Sequence, residues 1–381
     1  MMTIERRRFL RSAGLASGAL LLPGCAATVV RTAAAAAPPC LAPVRVDESR
    51  VIRTVAGLRP YRASGFVVRE ERVGDARIVH NYGHGGAGIT LSWGTSRLAA
   101  GLGLPGHSGP VAVIGAGVMG LTTARLVQEA GFPVTIYAAA LPPDTTSDVA
   151  GGQWSPFGHY RQAAVTPEWR AQFHAALDYS WRRFQILVGE EYGVRWLPTY
   201  AQGGVAQGDD SLAVYHPGGR DLAAHEHPFP VDTLARFDTM YVETGRFLRR
   251  LLADIQGAGG RIEVRRFDSP AAIAALPERL AFNCTGLGAR ALFGDEELVP
   301  VRGQLAILLP QPEVQYAFTG SAGYMFPRPD GIILGGTFER GEWEAVPRPE
   351  AIARILASHR RLFAGWRCPG LTAAGEGPSR P

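Results

Sequence analysis

The apolar and polar positions follow two alternating rhythms along the chain. Val111-Ala112-Val113-Ile114 is an unbroken apolar run of strand-forming residues, the length of a buried strand. Residues 121–130 then carry apolar side chains at helical spacing and stop at Gly131, a residue that readily ends a helix. Residues 134–137 return to a strand pattern. The predicted order is strand, turn, helix, strand, the start of a parallel α/β unit. Further on, residues 166–190 and 239–257 show amphipathic helical patterns, and residues 261–265 read as a strand. An apolar stretch over 13–22 is too short to span a bilayer comfortably.

Gly115-Ala116-Gly117-Val118-Met119-Gly120 follows the first of these strands directly. In this setting the glycines predict a dinucleotide site. Gly115 allows a tight turn, Gly117 lets backbone approach a pyrophosphate, and Gly120 permits close helix packing. The helix start then faces the phosphates with unpaired amides and a partial positive charge. One departure stands out. The second strand of such a unit usually ends in an acid that binds the adenosine ribose, but Tyr137 is followed by Ala138, Ala139 and Ala140, and the nearest acid is Asp144. That hydrogen bond is missing, at a cost of about 1–2 kcal/mol, or it comes from elsewhere.

Composition narrows the chemistry. A chain of 381 residues is long enough for two domains and one large cofactor between them. Its basic residues are all arginine, which excludes a lysine Schiff base and a phosphate-loop lysine. Of the net charge of +5, Arg6, Arg7, Arg8 and Arg11 less Glu5 supply three units. The remainder has no long basic run, so nucleic acid is not an expected partner. The four cysteines, Cys25, Cys40, Cys284 and Cys368, lack metal-ligand spacing. A Cys40–Cys368 disulfide and free thiols both fit the sequence. His225-Glu226-His227 reads as a solvated loop with no further metal ligand in view.

Arg6-Arg7-Arg8-Phe9-Leu10-Arg11 and the apolar stretch behind it resemble a twin-arginine export signal. The resemblance implies the twin-arginine export machinery as a partner and a periplasmic or cell-surface location. A plain basic extension would leave the protein cytoplasmic. Leu22-Pro23-Gly24-Cys25 resembles a lipoprotein cleavage box, with an unusual proline, and implies a lipid anchor at Cys25. Residues 1–25 are thus a signal segment and 26–41 a linker.

Beyond Tyr137, the run Thr145-Thr146-Ser147-Asp148-Val149-Ala150-Gly151-Gly152-Gln153-Trp154 resembles the hydroxyl-rich segment of the D-amino-acid and D-aspartate oxidases. The resemblance implies FAD as cofactor, with Thr145, Thr146 and Ser147 on its pyrophosphate and Gly151, Gly152 and Gln153 beside its isoalloxazine. Hydroxyls donate to phosphate oxygens, and small residues let a flat ring approach backbone. Asn283-Cys284-Thr285-Gly286 resembles the family's strand end beside FAD, which implies contacts from Thr285 and Gly286. Pro300-Val301-Arg302-Gly303-Gln304 resembles the family's R-G-Q strand start, and Gly323-Tyr324-Met325-Phe326-Pro327, Gly335-Gly336-Thr337-Phe338 and Trp343 resemble the strands lining the substrate pocket. Tyr324 is then implied as a donor to the substrate carboxylate. A lid tyrosine of mammalian members falls on Gly320 here, which implies a shortened lid.

In that family an arginine–proline segment and a glycine-rich segment come after these strands, and neither follows them here. Both resemblances lie at the front instead: Gly57-Leu58-Arg59-Pro60-Tyr61-Arg62, then His80-Asn81-Tyr82-Gly83-His84-Gly85-Gly86-Ala87-Gly88-Ile89-Thr90. Residues 92–102 look like the family's closing helix, and 103–110 read as a linker. The segment order resembles a circular permutation, a change tolerated where chain ends meet at the surface. Arg59 is implied as the fork that grips the substrate α-carboxylate, and the backbone at Gly86 as the acceptor for its amino group. Gly83, Gly85, Gly86, Gly88 and Thr90 are implied at the flavin's pyrimidine end. His80 and His84 are expected to support the loop rather than to carry protons.

The fold implied is α/β: a Rossmann-like FAD-binding domain plus a mixed, largely antiparallel substrate domain, in permuted order. Residues 42–74, 157–238 and 300–381 fall to the substrate side, and 75–156 and 239–299 to the FAD side. The function implied is oxidation of a D-amino acid by hydride transfer from its α-carbon to flavin N5. Hydrolysis of the imine gives 2-oxo acid and ammonia, and molecular oxygen is reduced to hydrogen peroxide. A glycine or sarcosine oxidase, a quinone-linked D-amino-acid dehydrogenase and a non-catalytic FAD-binding protein are the alternatives. Residues 145–154 disfavour a nicotinamide dehydrogenase.

Overall fold

The computed structural model describes residues 40–205 and 210–368. The arginine-rich start, the apolar stretch over 13–22 and Cys25 lie outside the described residues. From the front, β1 (Val51–Tyr61) leads into the hairpin of β2 (Val67–Val73) and β3 (Ala76–Tyr82), then α1 (Gly88–Gly103), β4 (Val111–Ile114), α2 (Val118–Glu129) and β5 (Val134–Ala138). The middle of the chain forms α3 (Pro167–Ile186), β6 (Val194–Ala201), β7 (Arg220–Ala223), β8 (Thr233–Val242), α4 (Thr244–Gly257) and β9 (Arg261–Val264), followed by α5 (Pro270–Ala274), β10 (Leu280–Asn283) and α6 (Gly288–Phe293). The last stretch holds β11 (Val299–Leu308), β12 (Ala317–Gly320), β13 (Gly323–Arg328), β14 (Gly331–Gly335), β15 (Glu339–Arg340) and α7 (Pro349–Ala364).

One sheet has six strands in the order β2-β3-β10-β4-β5-β9, parallel from β3 to β9. Side chains alternate along β4. Val111 and Val113 pack with Leu121, Leu126 and Phe247 on the helical side; Ala112 and Ile114 pack with Phe267, Ile273 and Leu276 on the other. Both faces are covered, which is why the strand reads as an unbroken apolar run. The carboxyl ends of β4, β5 and β10 all point to one side, where parallel sheets hold their ligands.

The second sheet has nine strands in the order β1-β11-β14-β13-β12-β6-β8-β7, with β15 also on β11. Its pairs are antiparallel apart from β6 with β12. On one face, Ile352, Ile355, Leu356 and Phe363 of α7 pack with Leu308, Phe318, Met325 and Leu334. That spacing is one face of a helix. The opposite face gathers Leu305, Phe326 and Ile333 with Tyr324 at its margin.

The front of the chain is woven into both sheets. β1 pairs with β11 so that Arg59 lies opposite Val301 and Gly57 opposite Gly303. β2 and β3 join the six-stranded sheet, so residues 67–73 do not share β1's sheet as the sequence suggested. Strand β8 continues to Val242 before α4 starts at Thr244, where the sequence pattern had begun a helix at 239. Pairing along the whole of β6 decides this: the Thr239 hydroxyl donates to the Trp154 carbonyl at 2.9 Å, and the Tyr241 hydroxyl bonds that of Thr199 on β6 at 2.9 Å. Helix α1 starts at Gly88, earlier than 92, because a short turn over Gly85–Ala87 runs straight into it.

Cys40 and Cys368 form a disulfide with Cα atoms 5.1 Å apart. Around it, the Tyr316 hydroxyl donates to the Ala42 carbonyl at 2.8 Å and the Trp366 indole to the Leu41 carbonyl at 3.0 Å. In the His225-Glu226-His227 stretch, His225 is exposed but His227 is buried, so only part of it is solvated. No cluster of metal-ligating side chains occurs among the described residues.

Candidate active site

A cavity of about 920 Å³ is lined by residues of both sheets. Of the residues expected there, Arg59 and Tyr324 line it, with Gly83, Gly85, Gly86 and Gly88. So do Gly115, Gly117, Thr145, Thr146, Ser147, Gly151, Gly152, Gln153, Thr285 and Gly286. Gly120 and Thr90 are not on the wall. Gly120 lies against the Gly115 carbonyl with no room for a side chain, the helix-packing role its position predicts. The Thr90 hydroxyl is buried and exchanges hydrogen bonds with the Ser155 backbone, donating to its carbonyl at 2.9 Å and accepting from its N–H at 2.8 Å. It braces α1 against the segment behind Trp154.

The nucleotide turn is built as its glycines require. Gly115 has φ of +114°, a conformation open to glycine, and a side chain there would run into the Cys284 carbonyl. The Val118 N–H at the start of α2 donates to the Ser147 hydroxyl at 3.0 Å, which draws the hydroxyl-rich segment over the helix end. Thr145 is fixed by Asp148, whose carboxylate accepts from its hydroxyl at 2.7 Å and its amide at 3.1 Å. Opposite, the Thr285 hydroxyl donates to the Asn283 side-chain carbonyl at 2.7 Å. Asn283 in turn donates to His80 Nδ1 at 3.0 Å. That leaves the His80 proton on Nε2, 3.1 Å from a Glu71 carboxylate oxygen.

The two histidines of the front motif are structural. Burial lowers the pKa of His80. His84 bonds Thr95 at 2.9 Å and stacks on Phe66, and burial, with His159 nearby, pushes its pKa down to about 3. Both stay neutral at ordinary pH and hold the loop that carries the glycines.

At the other face of the cavity the Arg59 guanidinium lies near the Tyr324 phenol, and its charge acts on that hydroxyl. Arg59 donates to the Thr337 carbonyl at 3.1 Å. Among the described residues it has no carboxylate partner. The room it occupies exists because position 303 is glycine: any side chain there would overlap the guanidinium. Sequence reasoning placed Gly303 in a strand motif but did not see that it clears this space. Tyr324 stacks on Phe326 with centroids 4.6 Å apart and lies over Gly335 and Gly336, where side chains would displace its ring. Burial raises the phenol pKa, and the Arg59 charge opposes that rise. The β12–β13 hairpin closes tightly, Gly320 pairing with Gly323, so no side chain extends from the position of the lid tyrosine.

The lining suits a dianionic diphosphate joined to flat rings. Three helix starts and several hydroxyls line it, glycine backbone forms much of the wall, and Asp268 is the one carboxylate residue in the lining. These features fit FAD: the 115–119 turn and residues 145–147 for its diphosphate, residues 83–88 and 151–153 for its ring system.

The FAD dependent oxidoreductase family model matches residues 21–102 and 110–377. The chain is 35% identical to the D-amino-acid oxidase of Streptomyces coelicolor over 280 residues, covering 68% of this chain and 81% of that one. It is 31% identical to human D-aspartate oxidase over 273 residues, 65% of this chain and 74% of the other. In fold it is similar to iminodiacetate oxidase from Chelativorans sp., with a TM-score of 0.52 at 18% identity, over 67% of this chain and 79% of that one. Glycine oxidase from Bacillus cereus gives 0.50 at 15%, over 68% and 81%. The chain belongs to the D-amino-acid oxidase family of FAD-dependent oxidoreductases.

Proposed function

We propose that this FAD-dependent amino-acid oxidoreductase acts on D-amino acids, converting substrate, water and oxygen into 2-oxo acid, ammonia and hydrogen peroxide. The observation that carries the reading is an unpaired guanidinium, Arg59, beside a phenol, Tyr324, on the wall of the cofactor cavity. A cation with no acidic partner beside a neutral donor is a receptor for a carboxylate. Arg59 supplies the charge and two parallel donors; Tyr324 supplies a third donor that stays neutral. The backbone at Gly86, against the Arg59 stem, is placed to accept from the substrate amine. Bound FAD supplies the two-electron acceptor. The residues of the chain align the α-carbon, and alignment is worth up to about 7–11 kcal/mol. No protein base is called for if the amine binds neutral, in keeping with the neutral, structural histidines around the loop.

The D-amino-acid and D-aspartate oxidases among the relatives support this substrate class. Glycine oxidase among the fold neighbours keeps glycine and sarcosine on the test panel. The test is the visible spectrum of the purified protein before and after D-alanine without oxygen, then peroxide release across D-amino acids, glycine and sarcosine. Bleaching with no peroxide would favour a quinone as acceptor, and no bleaching by any amino acid would overturn the reading.

We also propose that the segment order is circularly permuted. In support, the family match breaks over 103–109, and β1 from the front pairs with β11, which carries Arg302-Gly303-Gln304. An exported location is supported by the arginine-rich start and by the Cys40–Cys368 disulfide, a bond that persists in oxidising compartments. Cell fractionation tests it: recovery in the cytoplasm alone would refute export, and membrane recovery lost in a Cys25→Ser variant would establish the anchor.

A further inference from the structure

The cavity has one end that neither the nucleotide turn nor the substrate residues account for. It is lined by Ala138, Ala139 and Ala140, where the ribose-binding acid of such a fold is expected. Three carboxylates are near in sequence or in the sheet, and none of them lines the cavity. Asp144 is exposed away from it. Glu263 lies beside Tyr137 on the neighbouring strand but off the wall. Glu278 is buried and accepts from the Tyr137 hydroxyl.

The neighbouring strand ends beside these alanines. β9 runs parallel to β5 with Val264 beside Ala138, and the Arg265 N–H donates to the Ala138 carbonyl at 2.9 Å. This carries Arg265, Arg266 and Asp268 onto the same wall. Phe267 turns inward and packs edge-on against Tyr137, which fixes the segment. Asp268 is exposed, and its carboxylate has no hydrogen-bond or ion-pair partner among the described residues. Arg266 is likewise exposed and unpaired.

We propose that Asp268 is the acceptor for the adenosine ribose 2′-hydroxyl of FAD, supplied from the end of β9 in place of an acid on β5. A carboxylate near a diphosphate dianion is repelled by it, and Arg265 and Arg266 offset that repulsion. The proposal rests on FAD as cofactor and is independent of which amino acid is oxidised.

The test uses the full-length protein and flavin binding, followed by flavin fluorescence and by release on dilution. Asp268→Ala removes both the charge and the acceptor at an exposed position. It is expected to weaken FAD about tenfold, the worth of one charge-assisted hydrogen bond, and to leave FMN unchanged, since FMN has no adenosine. Wild type is expected to prefer FAD about tenfold over an FAD analogue lacking the adenosine 2′-hydroxyl, and Asp268→Ala to bind the two alike. Unchanged FAD affinity in the variant overturns the proposal. So does an equal loss for FMN, which marks a structural role, or a preserved preference for FAD over the analogue.

Discussion

Arg59 sits near the Tyr324 phenol, close enough for its charge to act on it, although β11 and β14 lie between their strands in the sheet. The contact exists because Gly303 leaves the intervening strand bare and Gly335 lets the Tyr324 ring lie flat. A cation and a neutral donor are thereby aimed at one point in the cavity wall.

Replacing Arg59 with alanine removes the charge from that point. KM for a D-amino acid should rise and kcat/KM fall roughly 100-fold, about 3 kcal/mol of charge-assisted bonding. The flavin spectrum should stay intact, since the diphosphate contacts lie elsewhere. Steady-state kinetics and absorbance check both; unchanged turnover would remove Arg59 from the carboxylate site.

Tyr324→Phe deletes one neutral donor and keeps the ring stacked on Phe326. The expected loss is about 1 kcal/mol, roughly fivefold in kcat/KM. Burial raises the phenol above its ordinary value of 10.0, so the donor proton is retained at pH values below 10. The wild-type profile should show no decline from this group in that range. A Tyr324-dependent decline below pH 10 would contradict the assignment.

His84 and His159 are both held by burial at about 3, against 6.5 in an unfolded chain. A depressed folded pKa means that the unfolded state takes up protons first. The stability they contribute is fully present above pH 6.5 and is lost as pH falls toward 3. Between those values each histidine should lower stability by about 1.4 kcal/mol per pH unit. Thermal melts from pH 7 to 4 measure the slope, and His84→Asn should flatten it.

The Cys40–Cys368 bond closes a span of 328 residues. Reduction, or Cys40→Ser, should destabilise the fold by about 2–5 kcal/mol while leaving the cavity residues in place. Melting with and without reductant, alongside thiol counting, tests this; an identical melting temperature would show that packing around Trp366 suffices.

Much of this protein is written locally. The strand-turn-helix-strand unit was legible because its glycines and its period depend on neighbours a few residues away. The hydroxyl-rich run at 145–147 and the glycines at 83–88 were legible as motifs for the same reason. What required the fold is whatever depends on residues distant in sequence. The helix expected from 239 gave way to strand β8 once β6 was there to pair with it. The Thr90 hydroxyl was spent on the Ser155 backbone. Asp268, proposed here to stand in for the acid missing after Tyr137, reaches the cavity from the end of β9, and no spacing rule links it to β5. Sequence alone determined that a dinucleotide turn, a hydroxyl segment and an arginine fork are present. Only the tertiary structure decided which of them share one cavity, because strand pairing across the sheets sets those distances and leaves no periodic trace in the chain.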